Sequence, residues 1–127
     1  MFSHVMIGTN DLQKAKTFYD AVLGTIGVKP AVVDGHRIAY RTETGVFMVT
    51  EPINGEPACH ANGGTIGFAT SSTEQTHAFH EAGIAYGGTA IEDPPGVRSN
   101  AFGALYLAYL RDPDGNKICA LHRVPKS

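Results

Sequence analysis

The chain carries one pattern twice. Asn10-Asp11-Leu12-Gln13, which follows the strand-like run His4-Val5-Met6-Ile7, returns about sixty residues later as Ser71-Ser72-Thr73-Glu74 after Thr65-Ile66-Gly67-Phe68. Each copy reads as a capping box. A short polar side chain, Asn10 or Ser71, accepts from an orphan amide of the first helical turn, and Gln13 or Glu74 three residues on reaches back. The same offset superimposes Thr9 on Thr70, Phe18 on Phe79, Ala21 on Ala82 and Gly27 on Gly88. A duplicated unit of strand, helix and further strands can enclose a cavity between its two copies, so the repeat bears on function as well as fold.

A chain of 127 residues is long enough for one ordinary core and too short for two independent ones, so the copies are halves of a single domain, 1–127. Module 1 covers about 1–50, a linker about 51–64, and module 2 about 65–127. At 43% apolar and 17% charged residues the composition is that of a soluble globular protein. No run approaches the roughly 18 apolar residues that a membrane span needs. The N-terminus runs straight into a strand with no basic region or cleavage site, which places the protein in the cytoplasm. A net charge of −2, with the Lys and Arg residues dispersed along the chain, gives no footprint for nucleic acid. Cys59 and Cys119 form no CxxC motif, and a reducing compartment keeps them as thiols.

In the first half, residues 2–9 read as a strand. Leu12, Ala15, Phe18, Tyr19, Val22 and Leu23 follow at helical spacing, with Gly24 as a left-handed cap. Short strands are expected at 31–33, 38–41 and 46–50, separated by Asp34-Gly35 and Glu43-Thr44-Gly45 turns. The second half repeats the order: a strand at 65–70, a helix from Thr73 to Ala82 ending at Gly83, and strands near 89–92, 105–111 and 117–122. Residues 93–100, Asp-Pro-Pro-Gly-Val-Arg-Ser-Asn, have no counterpart in the first half and are expected to form a binding loop.

The paired modules, His4 seven residues before Asp11, and Arg111-Asp112-Pro113-Asp114-Gly115-Asn116 leading into the last strand together resemble the vicinal oxygen chelate superfamily. That group includes glyoxalase I, the bleomycin and fosfomycin resistance proteins and the extradiol dioxygenases. The resemblance covers essentially the whole chain. It implies an α+β fold in which two βαβββ modules form a barrel-like mixed sheet with helices outside and a divalent metal within. The ligand places it implies are a His on the first strand of each module and a Glu on the last strand of the second. They fall here on His4, Thr65 and Cys119, and the further Glu place of glyoxalases falls on Met48 or Val49. His4 alone matches.

Chemistry of that kind needs about three protein ligands and open coordination positions to polarise a substrate's vicinal oxygens. His4 and Cys119 are the metal candidates, and a neutral Thr or Met adds little to them. Cys119 is also the one catalytic candidate, as a nucleophile if His4 faces it. Alternation puts Thr65, Gly67 and Ala69 on one face of their strand, and the small residues there leave space for a ligand. Arg98, in the unmatched loop, is suited to gripping a carboxylate or phosphate. Tyr106 and Tyr109 lie on opposite faces of one strand, so at most one lines the cavity. The ligand-binding candidates are thus Arg98, Thr65, Gly67, Tyr109 and Met48. His36, His60, His77, His80 and His122 receive no role.

The sequence therefore reads as a family protein that binds a small organic molecule, with a degenerate metal site, no required cofactor and a homodimeric assembly. The alternative is a metal-dependent lyase, isomerase or dioxygenase that uses His4 with non-standard ligands. Bleomycin sequestration is disfavoured, because a cationic drug calls for an acidic cavity.

Overall fold

The computed structural model describes residues 1–125. The first module comprises β1 (His4–Gly8), α1 (Leu12–Gly24), β2 (Val32–Asp34), β3 (Arg37–Thr42) and β4 (Gly45–Thr50). The second comprises β5 (Ile66–Ala69), α2 (Thr73–Ala85), β6 (Thr89–Ala90), β7 (Gly96–Asn100), β8 (Gly103–Arg111) and β9 (Lys117–Arg123). This is the duplicated α+β architecture that the repeat implies. In each module the first strand pairs in parallel with the last, giving sheets of order β1-β4-β3-β2 and β5-β9-β8-β6, with β7 also on β8. The repeat extends to single bonds. Thr9 N–H donates to Thr50 O and Thr70 N–H to Leu121 O, both at 2.9 Å. Among the described residues no helix is long and apolar enough to cross a membrane.

Four local features depart from the sequence expectation. The helix N-caps are Asp11, accepting from Lys14 N–H, and Ser72, accepting from Gln75 N–H, so each cap lies one residue later than expected and the offset between halves survives. Asn10 and Ser71 are engaged elsewhere: the Asn10 amide exchanges two bonds with the Ala58 backbone, and the Ser71 N–H and hydroxyl both reach Gln75 Oε1. Gly24 is the last helical residue rather than a left-handed cap, and the left-handed residue is Gly27, at φ +85°. Gly83 does not end α2, which runs on to Ala85. It lies against β8, where an added Cβ would stand 2.4 Å from Leu110 Cδ1. The unmatched segment is not all loop either, since its last five residues form β7. Strands β6 and β7 occupy the same edge of β8 in succession, with residues 91–95 bulging between them.

Each sheet buries one face. Phe47 and Val49 of β4, with Ile38 and Tyr40 of β3, meet Phe18, Tyr19, Val22 and Leu23 of α1; Leu110, Ile118 and Ala120 meet Phe79 of α2. These are not two cores. The rings of Tyr19, Phe47, Phe68 and Phe79 follow one another at 4.9, 5.2 and 5.7 Å, and α1 packs on α2. The two modules thus share one interior and meet through their helices. Among the described residues no strand of one sheet pairs with a strand of the other.

A buried carboxylate fastens that junction. Asp112 is 4% exposed, and burial raises its pKa against the pull of four donors. The Tyr19 hydroxyl from α1 donates to Oδ2 at 2.6 Å and Asn116 Nδ2 at 2.9 Å; the amides of Asp114 and Asn116 donate to Oδ1, each at 2.9 Å. Asn116 Nδ2 also reaches Gly8 O, and Asp114 Oδ1 accepts from Asn10 N–H. The Asp-Pro-Asp-Gly-Asn turn of module 2 therefore holds the β1–α1 corner of module 1 through three side chains.

Two stability measurements follow from this packing. Tyr19→Phe leaves a buried carboxylate one donor short and is expected to lower unfolding free energy by about 1–3 kcal/mol in urea titration. Gly83→Ala is expected to destabilise by a similar amount, about 1–3 kcal/mol, because Leu110 cannot retreat within a packed core. At Gly24, where nothing lies within 4 Å, the same change follows helix propensity and stabilises by up to about 1 kcal/mol.

Candidate functional site

The faces turned away from the helices are the more open ones, although on the second sheet Leu105, Leu107 and Cys119 are themselves buried there. Register places His4, Met6 and Gly8 of β1 beside Val46, Met48 and Thr50 of β4, opposite in direction to the buried Phe47 and Val49. In the second sheet Gly67 lies beside Cys119 and Cys119 beside Tyr109, so three of the expected site residues form a row across β5, β9 and β8. The Gly67 position is small for a reason other than a ligand. A Cβ there would lie 3.3 Å from Cys119 Sγ, so the space it leaves is partly filled by that thiol.

The register choice at the further ligand place resolves. Met48 shares the His4 face, and Val49 is fully buried in the core. His4 is exposed, with Nδ1 2.9 Å from Ser3 Oγ. Thr65 is exposed and precedes β5 by one residue. Of the tyrosine pair, Tyr109 is on the open face with Cys119, while Tyr106 is on the helix side opposite His122.

The structure does not gather these residues around one hollow within a chain. Because the helix-side faces of both sheets enclose one core, the open faces point away from each other, with His4 and Met48 on one and Cys119, Gly67 and Tyr109 on the other. The exception is at the seam between edge strands β1 and β5. There a cleft of about 490 Å³ is lined by His4 and Gly67 at its rim and by Leu23, Tyr40, Phe47 and Phe68 within.

Metal ligation is poorly served. Among the described residues no three His, Cys, Asp or Glu side chains cluster in a way that could hold an ion. His4 and Cys119 lie on different faces, and burial pushes the Cys119 thiol up to about 11, with Lys117 opposing. A thiol so placed is neither a ready ligand nor an activated nucleophile.

Arg98 is held more firmly than a solvated loop arginine. Nη1 donates to the carbonyls of Pro94, Gly96 and Leu107, each at 3.0 Å, and Nη2 to that of Asp93 at 2.8 Å. The guanidinium thereby closes the bulge between β6 and β7. Two neighbours escaped the sequence reading. Lys117 lies 4.8 Å from the Tyr109 ring centroid and is paired with Glu92. Glu92 is, among the described residues, the one non-glycine at positive φ, +60°. Alternation placed Lys117 on the Cys119 face, but nothing in the sequence signals a left-handed glutamate.

The family model for the glyoxalase/bleomycin resistance protein/dioxygenase superfamily matches residues 1–120. A glyoxalase/bleomycin resistance protein from Albidiferax ferrireducens T118 is 64% identical, with a TM-score of 0.95 over 97% of this chain and 99% of that one. A glyoxalase/bleomycin resistance protein/dioxygenase family enzyme from Burkholderia phytofirmans PsJN superimposes with a TM-score of 0.73 at 19% identity, covering 96% and 98%. A lactoylglutathione lyase from Agrobacterium tumefaciens does so with a TM-score of 0.66 at 19% identity, covering 96% and 92%. These last two show likeness of fold. Among curated proteins none matches.

The two cysteines separate by environment, exposed at Cys59 and buried at Cys119. With a thiol at about 11, Cys119 is about one part in a thousand thiolate at pH 8. A chromogenic disulfide reagent is expected to titrate Cys59 promptly and Cys119 only after denaturation. Prompt reaction at both would restore Cys119 as a nucleophile.

Proposed function

The chain belongs to the glyoxalase/bleomycin resistance protein/dioxygenase superfamily, and from that premise we propose that it binds a small organic molecule on its open sheet faces without the metal that the fold otherwise accommodates. The donor chemistry carries this reading. Of the four places that the family's ligands take, His4 keeps a good donor, Thr65 and Met48 offer a neutral hydroxyl and a thioether, and Cys119 offers a thiol that burial keeps protonated. A hard divalent ion finds too little there to compete with water.

We propose further that a second copy of the chain completes the site. Each open face is a shallow half, and each sheet ends in an edge strand, β1 or β5, beside the seam cleft. Setting the open face of one module against that of the other module in a second chain would enclose the ligand and bury the exposed Met6. In such a site the protein's contribution is shape, exclusion of water and positioned polar groups, and no catalytic step is assigned. Free thiols at Cys59 and Cys119 suit a reducing compartment, and a cytoplasmic binding protein is the proposed setting.

Light scattering is expected to give twice the 13.5 kDa chain mass, and elemental analysis of the purified protein to give well under one metal per chain. Stoichiometric zinc, nickel, manganese or iron that is lost on His4→Ala, with an activity lost on chelation, would instead establish the metalloenzyme alternative. A monomer at working concentration would contradict the paired faces.

A further inference from the structure

The ten Lys and Arg residues are scattered in sequence but not in space. Arg37 and Arg41 fall on the open face of the first sheet, and Arg98, Arg111, Lys117 and Arg123 on open-face registers of the second. Acidic residues do not follow them. Among the described residues, the strands of the two sheets carry one acidic residue on an open-face register, Asp34 of β2, and Glu92 stands beside β6. Of these six cations Lys117 alone has a carboxylate partner among the described residues. A chain with net charge −2 has gathered most of its positive charge on the faces that carry its candidate site.

At the centre of the second face the arrangement is specific. The Tyr109 ring has Lys117 Nζ at 4.8 Å and Arg98 Cζ at 5.8 Å from its centroid. Its surroundings are apolar: Leu105, Leu107 and Cys119 are buried, with Tyr109 and Leu121 packed on them. Four backbone carbonyls fix the Arg98 guanidinium through Nη1 and one Nη2 hydrogen. Of the five donors a guanidinium carries, Nε–H and the other Nη2–H have no partner among the described residues. Nε and Nη2 together make one of the edges by which a guanidinium grips an oxyanion in a bidentate manner. The fork is held in place before any ligand arrives, which removes much of the ordering cost of binding.

We infer that the ligand of this site is a small organic anion, whose carboxylate, phosphate or phosphonate head is held by the Arg98 fork and Lys117 at Tyr109 and whose apolar body lies over the partly buried Tyr109 and Leu121. This rests on the binding reading above and narrows it to a chemical class. Glu92 takes part as the counter-charge that an incoming anion displaces from Lys117. Glu92 is half-exposed where it pairs with Lys117, so its carboxylate can move into solvent when the anion arrives.

Four probes of one shape test the inference by isothermal titration and amide shift mapping at low salt: phenylacetate, phenylphosphonate, neutral phenylacetamide and cationic phenethylamine. The anions are expected to bind about tenfold or more tightly than the amide, to weaken as salt is raised, and to shift amides of β8 and β9. Phenethylamine is expected not to bind. Phenylphosphonate outranking phenylacetate assigns a phosphorus oxyanion, and the reverse order assigns a carboxylate. Lys117→Gln and Arg98→Gln are each expected to lower the ratio of phenylacetate to phenylacetamide affinity about tenfold. Lys117→Gln serves even if Arg98→Gln loosens the bulge. If phenylacetamide binds wild type as tightly as the acids do, the anion inference fails and the binding site stands. If no probe shifts amides on either open face, both fail.

Discussion

Asp112 is the point on which the architecture turns. A carboxylate at this depth is tolerable only with its acceptor sites filled, and the four donors that fill them come from α1 and from Asp114 and Asn116 of the turn that follows. Because one donor is Tyr19, whose ring also packs at a tilt on Phe47 in the shared interior, the fourth acceptor site is filled only when the modules are docked. Asn116 and Asp114 extend the tie to Gly8 and Asn10. Fold and docking are thus one event.

That docking decides where function can lie. With the helix-side faces committed to a common core, the other faces are turned outward and apart, and neither is a cavity alone. The family's sheets offer a concave surface whose chemistry depends on what lines it. On the first open face His4 is the one good metal donor among the family's ligand places, and on the second Arg98 and Lys117 stand beside the Tyr109 ring. That contrast is the common basis of the proposed function and of the anion inference.

Much of this was legible in the amino-acid order. The offset linking Thr9 with Thr70 and Phe18 with Phe79 located both modules, while strand alternation grouped Thr65, Gly67 and Ala69 on one face and separated Tyr106 from Tyr109 without saying which of the two lies on the open face. Local rules failed where distant contacts intervened. Asn10 looked like a cap because nothing local shows that Ala58, nearly fifty residues on, engages its amide. Gly83 looked like a terminator, when its bareness serves the Leu110 side chain. Arg98 looked like a loop residue free to meet a ligand, when most of its donors brace the bulge that carries it. Periodicity also tells which side of a sheet meets its own helix, but not how two helices meet each other. The outward direction of the open faces and the clustering of scattered cations both depend on that second fact.

Native-state hydrogen exchange tests the single shared core most directly. If the modules are one cooperative unit fastened at Asp112, the slowest amides of Tyr40 and Val49 in the first module and of Ile118 and Ala120 in the second should open with one common free energy, equal to that of global unfolding. Two separate values, with one module opening while the other stays protected, would contradict the account.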